Sequence, residues 1–437
     1  MAQYKTCLPL TPESIKEAHS IIRLHIHRTP VLTSATLDHM ASTPSRPGAP
    51  APRFRLLFKC ENYQKIGAFK ARGAFHAVKH LIKELGIEEV RRRGVVTHSS
   101  GMVYLAENSL ILVLLTVADS FDLPGNHAQA LALAASTFSI PGYIVMPTIS
   151  TPSKIAGTRK YTDHIILSGS TSQERESKVE EVIKQTGAIL VPPYDHPDII
   201  LGQGTTALEL QEQYEELLSN DTGGSSTAVN RGSTTDCGTS TGNWISSEQS
   251  KTNDDAVASR QLDAVIAPLG GGGLLSGIAT YFCRSPGSQV KKTLVFGAEP
   301  SFQGGDDARR GLAAGKRIET VKTLTIADGL RTPVGVTNWG IINDKSKVEG
   351  VYAVTDEQIK AAMRLVLERM KVFVEPSACV GLAVVLYDEA FREMVAKKQQ
   401  EEGGERAWDV GVVFSGGNTT VDAIAQLFGS SGSPVVG

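Results

Sequence analysis

Apolar positions in this chain fall into two alternating patterns, short unbroken runs and longer stretches with helical spacing. The short runs predict strands in "RFRLLFKCE" (53–61), "GVVTHSS" (94–100), "PGYIVMP" (141–147), "DHIILS" (163–168), "AILVPP" (188–193), "DAVIAPLG" (263–270) and "KTLVFGAEP" (292–300). One more opens "VVFSGGNTTVDAI" (412–424) and gives way to a turn and a helix. Helical spacing covers "IKEAHSIIRLHI", "KARGAFHAVKHLIKEL" (70–85) and "HAQALALAAS". Thr11 as N-cap and Pro12 in the first turn mark the start of the first helix. Strands and helices alternating at this interval predict an α/β protein with mostly parallel sheets.

Three stretches interrupt the pattern. Residues 219–259 are rich in Ser, Thr, Gly, Asn and Asp and nearly free of apolar side chains, which predicts a disordered surface loop. Residues 41–53, "ASTPSRPGAPAPR", are a Pro-rich loop. The third is "HSSGMVYLAENSLILVLLTVADSFDLPGNHAQ" (98–129), where an apolar run separates a small polar turn from what looks like its own continuation.

At 437 residues and 41% hydrophobic content the chain is long enough for two or three lobes around substantial cores. A formal charge of −2 argues against nucleic acid or an anionic membrane surface as main partner. Arg91-Arg92-Arg93, followed by Gly94, fits a solvated helix end better than a basic patch. The cysteines, Cys7, Cys60, Cys237, Cys283 and Cys379, are scattered without a CxxC pair, as expected of reduced thiols in the cytosol. No basic start followed by an apolar stretch marks a secretory signal, and the longest apolar run, Ser109–Ala118, is too short to span a bilayer. A cytoplasmic protein is expected, with no nucleic-acid or membrane partner.

Three motifs carry chemistry. "PLGGGGLLSG" (268–277) places four glycines between a buried strand and an apolar helix, so their amides and the helix's positive end suit a phosphate. It is neither a GxGxxG nor a P-loop, and a flexible turn is the alternative. Lys70 in "ENYQKIGAFKARGA" follows Gly67-Ala68-Phe69 and precedes Ala71, a cramped apolar setting that would lower its pKa; a solvated surface lysine is the alternative. Ser415 ends a strand, where its hydroxyl can meet a ligand across the sheet's carboxyl edge or serve as a plain cap. A phosphate cradle, a desolvated lysine and a strand-end serine together suit pyridoxal phosphate.

The set resembles the fold-type II pyridoxal-phosphate enzymes, in particular the serine racemase and serine/threonine dehydratase branch, over nearly the whole chain. The resemblance implies two open, mostly parallel sheets flanked by helices, with the cofactor in the cleft between a large domain (1–93 and 176–437) and a small one (94–175). It makes Lys70 the Schiff-base lysine, with Phe69 beside the ring and Gly270, Gly271, Gly272, Gly273 and Leu274 around the phosphate. Asn126 would meet the phenolic oxygen, Ser415 the ring nitrogen, and Glu375 of "VEPSACVG" would lie near the cofactor. Ser99, Ser100, Asn126 and His127 would surround the substrate carboxylate, with Ser100 the second acid/base group facing Lys70. "GAEPSFQGGDDARRG" (297–311) resembles the family's Mg²⁺ or Ca²⁺ loop, implying Glu299, the Gly305 carbonyl and Asp307 as ligands. It is about two residues longer than the usual pattern, and a polar turn without metal is the alternative.

The implied activity is racemisation, α,β-elimination or both, on L-serine, L-threonine or a related β-hydroxy amino acid, by a homodimer. Only nineteen residues (419–437) follow "SGGN", so no regulatory domain and no feedback inhibition by isoleucine are expected. Removing 102–125 restores "THSSGNHAQALALAA", a continuous strand, turn and helix. Gly-Met-Val can be encoded with the splice donor GTATGT, which makes a retained intron one reading and a tolerated surface hairpin the other. The interruption beside Ser100 also raises a catalytically impaired or non-enzymatic relative as the alternative function.

Overall fold

The computed structural model describes residues 7–49, 51–98, 125–148, 150, 152–169, 172–223, 260–284, 291–404 and 406–429. The expected α/β architecture is present as two sheets with helices packed on them. The larger has six strands, β1 (Val31–Thr33), β2 (Phe54–Cys60), β7 (Ala264–Pro268), β8 (Leu294–Pro300), β9 (Gly350–Val354) and β10 (Trp408–Phe414), in the order β1-β2-β10-β7-β8-β9. Only β1 runs antiparallel to its neighbour. The smaller is fully parallel, with β3 (Val95–His98), β4 (Gly142–Pro147), β5 (Ile165–Ser168) and β6 (Ile189–Leu190) in the order β5-β4-β3-β6.

Alternation along the strands explains why both sheets are covered on two faces. Leu56, Phe58, Ile266 and Phe296 enter one core, while Leu57, Val265, Ala267 and Val295 enter another on the opposite side. In the smaller sheet Val95, Ile144 and Met146 face one cluster, and Val96 and Val145 the other.

Helix α1 (Pro12–Ile22) starts as the sequence predicts, with Thr11 accepting from the Ser14 amide and Pro12 at the first position. Helix α2 (Lys70–Leu85) and helix α3 (Asn126–Thr137) pack together against the smaller sheet. Helix α4 (Ser172–Thr186) covers that sheet's other face. The Arg91–Arg93 run ends a short helix, with Arg91 and Arg92 paired to Glu88 and Glu89 three residues earlier.

Two expectations need adjusting. The predicted loop 219–259 begins too early, because helix α5 (Pro197–Gly223) carries its apolar stripe through Leu218 and runs on to Gly223. The smaller sheet also takes its fourth strand from Ile189–Leu190, beyond residue 175. Ser99, Ser100 and 102–124 lie outside the described residues, as do 224–259.

Candidate active site

β2, β10 and β7 are adjacent and parallel, so the segments leaving their carboxyl ends share one edge of the sheet. After β2 the chain carries Lys70, after β7 the glycines, and after β10 Ser415. The lysine loop is locked to the serine turn by backbone contacts. The Phe69 amide donates to the Ser415 carbonyl at 3.0 Å, the Gly417 amide to the Gly67 carbonyl at 2.9 Å, and Ala68 bridges Gly416. Gly67 is required at this crossing: its φ is +72°, and a Cβ there would stand 2.5 Å from Asn418 Oδ1.

Lys70 opens helix α2 and is partly buried. Its Nζ donates to the Pro193 carbonyl at 2.8 Å and lies 5.2 Å from the Phe69 ring and 6.0 Å from the Tyr194 ring. Burial lowers its pKa from the ordinary lysine value to about 8. That leaves a useful neutral fraction near physiological pH, which a surface lysine lacks.

Gly270–Gly273 connect β7 to helix α6 (Gly273–Phe282), with Gly272 in the left-handed region at φ +98°. The Gly271 carbonyl turns inward, accepting from Asn338 Nδ2 at 2.8 Å and the Gly335 amide at 3.1 Å. By contrast, the amides of Gly270 through Leu274 have no acceptor among the described residues. A Cβ on Gly271 would lie 2.5 Å from the Tyr194 ring, and one on Gly270 3.0 Å from Leu330 Cα. Five partner-free amides on a cramped loop at a helix start are an anion cradle, and a phosphate fits them. The same Tyr194 ring neighbours both the glycines and the lysine amine.

Asn126, Glu375 and Asn418 form a third group. Glu375 Oε1 accepts from Asn126 Nδ2 at 3.2 Å, and Oε2 accepts from the Asn418 amide at 3.1 Å. Asn418 Nδ2 donates to Asn126 Oδ1 at 2.6 Å and to the Ile66 carbonyl at 2.8 Å. Glu375 is 3% exposed. Burial, reinforced by the Asp328 charge, raises its pKa to about 8. The Ser415 hydroxyl makes no hydrogen bond to a described residue. His127 is fully buried, with Nε2 3.3 Å from the Val191 carbonyl and Nδ1 unpartnered among the described residues. Burial and the nearby Lys70 charge lower its pKa to about 3, so the ring is neutral.

The proposed metal loop follows β8. Glu299 is fully buried and accepts from the Ala308 and Arg309 amides, each at 2.9 Å. Asp307, at the start of helix α7 (Asp307–Ala314), accepts from the Val334 amide at 3.1 Å. Burial raises both pKa values, with Asp307 adding to the shift on Glu299; Asp307 reaches about 6. Neither carboxylate has an ion-pair partner among the described residues, and the Gly305 carbonyl accepts no hydrogen bond there. Gln303 and Gly304 have positive φ, which folds the longer loop back so that Gly305 and Asp307 follow the strand end. Two buried carboxylates without an ion-pair partner among the described residues suit a hard divalent cation.

Of the residues expected at the site, Phe69, Lys70, Asn126, Glu375, Ser415 and the glycines stand around this strand edge, whereas Ser99 and Ser100 lie outside the described residues. Sequence reasoning missed Tyr194 and Asn418. The signal for Asn418 was its place directly after Ser415-Gly-Gly, and for Tyr194 an aromatic just past a strand end.

The profile of the pyridoxal-phosphate dependent enzyme family matches residues 115–234 and 240–416. Over 419 residues the chain is 34% identical to a serine racemase of Arabidopsis thaliana, covering 96% of each. Over 425 residues it is 33% identical to L-threo-3-hydroxyaspartate ammonia-lyase of Saccharomyces cerevisiae, covering 97% of this chain and 98% of that one. The solved structure of maize serine racemase aligns with a TM-score of 0.69 at 32% identity, covering 96% of this chain and 97% of that chain. This chain belongs to the pyridoxal-phosphate dependent enzyme family, and its two-sheet fold is that of the fold-type II members. The family makes pyridoxal phosphate its cofactor and favours a working enzyme over a non-enzymatic relative.

Proposed function

We propose that the protein racemises, or eliminates water and ammonia from, a small β-hydroxy amino acid such as L-serine, L-threonine or 3-hydroxyaspartate. The observation that carries this reading is the pairing of a desolvated lysine with partner-free amides on Gly270–Leu274 around one tyrosine ring. When bound, pyridoxal phosphate supplies an electron sink for the pair left at Cα after proton removal. Lys70 would hold the cofactor through Nζ and, as a neutral amine, would carry the Cα proton. Asn126 spends one Nδ2 hydrogen on Glu375 and keeps the other for the phenolic oxygen.

Ser415, a neutral hydroxyl, would meet the ring nitrogen without a full charge, which would moderate the electron sink the cofactor supplies. On the family's pattern Ser100 would act as the second acid/base group, and a proton returned from its side would invert Cα. Ser99 and His127 would line the substrate carboxylate's side of the site, with His127 a neutral ring whose Nε2 proton is held by the Val191 carbonyl. Glu299, the Gly305 carbonyl and Asp307 hold Mg²⁺ or Ca²⁺.

The reading includes a homodimer, a large lobe (1–93 and 176–437) and a small lobe (94–175) whose sheet is joined by β6. It also places the protein in the cytoplasm, in keeping with free Cys7, Cys60, Cys283 and Cys379. No described helix is long and apolar enough to cross a membrane.

The test is direct. Purified protein supplied with pyridoxal phosphate should form D-serine, pyruvate or both from L-serine, or the corresponding keto acid from L-threonine or 3-hydroxyaspartate. Lys70→Ala should lower turnover by at least about 10³-fold. Wild-type protein that turns over none of these substrates, or full turnover by the variant, overturns the reading.

A further inference from the structure

Away from the cleft, the first described residues of the chain meet the start of helix α5. The Cys7 thiol, a His196 ring nitrogen and an Asp198 carboxylate oxygen all lie within 4.8 Å of one another, the one such trio of His, Cys, Asp or Glu among the described residues. Asp198 is 1% exposed. Its Oδ2 is held by His80 Nδ1 at 2.8 Å, but its Oδ1 is buried with no hydrogen-bond partner among the described residues. A buried, unsatisfied carboxylate oxygen calls for a donor or a cation. Cys7 and His196 are only partly buried, which leaves a path for an ion from solvent. Glu84 adds a further negative charge near the thiol.

The donor chemistry selects the ion. One sulfur, one imidazole nitrogen and one carboxylate oxygen suit Zn²⁺ and similar first-row ions, whereas Mg²⁺ and Ca²⁺ take oxygen alone. Bonds of about 2.0–2.3 Å place tetrahedral ligands roughly 3.5 Å apart, so side-chain rotation can close the trio. The His80 bond to Oδ2 is the outer contact that orients a ligating carboxylate.

We propose that Cys7, His196 and Asp198 form a zinc-class metal site with water in the fourth position. Loading exchanges the Cys7 thiol proton for the ion, with the proton released to solvent. The residues just before the site face the cleft. Pro193 accepts from Lys70, Tyr194 abuts Gly271, and Asp195 accepts from the Val336, Thr337 and Asn338 amides at the start of helix α8 (Val336–Ile342). An ion here ties the N-terminal segment to the stretch that lines the cofactor's side of the cleft.

The test uses full-length holoenzyme in excess Mg²⁺, which keeps the oxygen-only loop at Glu299 and Asp307 occupied. Titration with Co²⁺ should saturate at one equivalent and produce a thiolate-to-cobalt charge-transfer band in the near ultraviolet. Cys7→Ser should abolish that band, and Asp198→Asn should weaken Zn²⁺ binding by at least about tenfold in competition with a chromophoric chelator. Cys283→Ser, a second partly exposed thiol, should leave the band intact. Circular dichroism of metal-free Cys7→Ser shows whether its fold matches the wild type, and Zn²⁺ should raise the Tm of the wild type alone. No band with wild-type protein, or an unchanged band in Cys7→Ser, overturns the site and leaves the proposed amino-acid chemistry untouched.

Discussion

Arg72 and Glu375 are both deeply buried ionisable groups at the candidate site, yet their surroundings are opposite. Arg72, two residues after Lys70 on helix α2, forks onto two carboxylates. It meets Glu61 through Nε at 2.7 Å and Nη2 at 2.8 Å, and Glu209 through Nη1 at 2.9 Å and Nη2 at 2.7 Å. Lys59 completes the group, donating to Glu209 Oε2, the Thr29 carbonyl and Gln213 Oε1, each at 2.8 Å. Two cations and two anions balance, and nearly every donor is used. Glu375 has amide donors but no cation among the described residues, and Glu299 repeats that pattern at the proposed metal loop. Balanced charge holds helix α2 in place, while the unbalanced carboxyls stand at the candidate site and the proposed metal loop.

The pKa directions follow the same division. Burial works to raise the Glu209 carboxyl, but Arg72, His19 and Lys59 together hold it well below the usual carboxylate range. Burial disfavours the charged Arg72, and Glu61 and Glu209 more than compensate, holding it above its usual value. Glu375 is pushed up because burial and the Asp328 charge outweigh its hydrogen bonds from Asn418 and Asn126.

Cutting the balanced network should give the largest stability effect. Glu209→Ala strands Arg72 and Lys59 in the interior and should cost about 3–5 kcal/mol, read from urea unfolding of the apoprotein. A loss below about 1 kcal/mol would show that water reaches the network and the contrast is weaker than drawn.

The two regions should next respond to pH with opposite sign. Glu209 has a lowered folded pKa, so the stability it contributes is present above the ordinary carboxylate value and is lost as pH falls through that range. Glu375 has a raised folded pKa. Its contribution is complete below about pH 4.5 and is lost as pH rises toward about 8. Apoprotein Tm across that window should therefore flatten on its alkaline side in Glu375→Gln, with the acid side unchanged. A wild-type alkaline slope surviving in the variant would assign it to another group.

A smaller effect is expected at the metal loop. Mg²⁺ or Ca²⁺ should raise wild-type Tm by a few degrees, and Asp307→Asn should remove the rise by taking away one of two uncompensated carboxylates. An equal rise in both proteins would place the cation elsewhere. Least affected should be the surface: Glu88→Ala removes the exposed pair with Arg91, and the unfolding midpoint should stay unchanged within error.

Much of this was legible along the chain because local pattern sets it. The strand at 54–60, the helix beginning at Lys70 and the glycine turn before 273–282 each follow from period and turn chemistry within a dozen residues. Their motifs also carried the family. The loop boundary at 219 was misread because composition changes there while helix α5 still gains from its packed apolar stripe up to Leu218.

What the sequence alone determined is therefore the set of elements and the local chemistry: an amine beside apolar neighbours, a run of bare amides, a hydroxyl at a strand end. Only the tertiary structure decided which groups meet. Arg72 and Glu209 stand 137 residues apart in the chain, Asn126 and Glu375 249 apart, and Tyr194 reaches the glycine loop through a turn between the sheets. Such pairings follow from strand order and from which helices cover each face, and no local period encodes either. The same long-range packing leaves Glu375 without a counter-cation among the described residues and gives Arg72 two carboxylates, although nothing in the residues flanking either one distinguishes them.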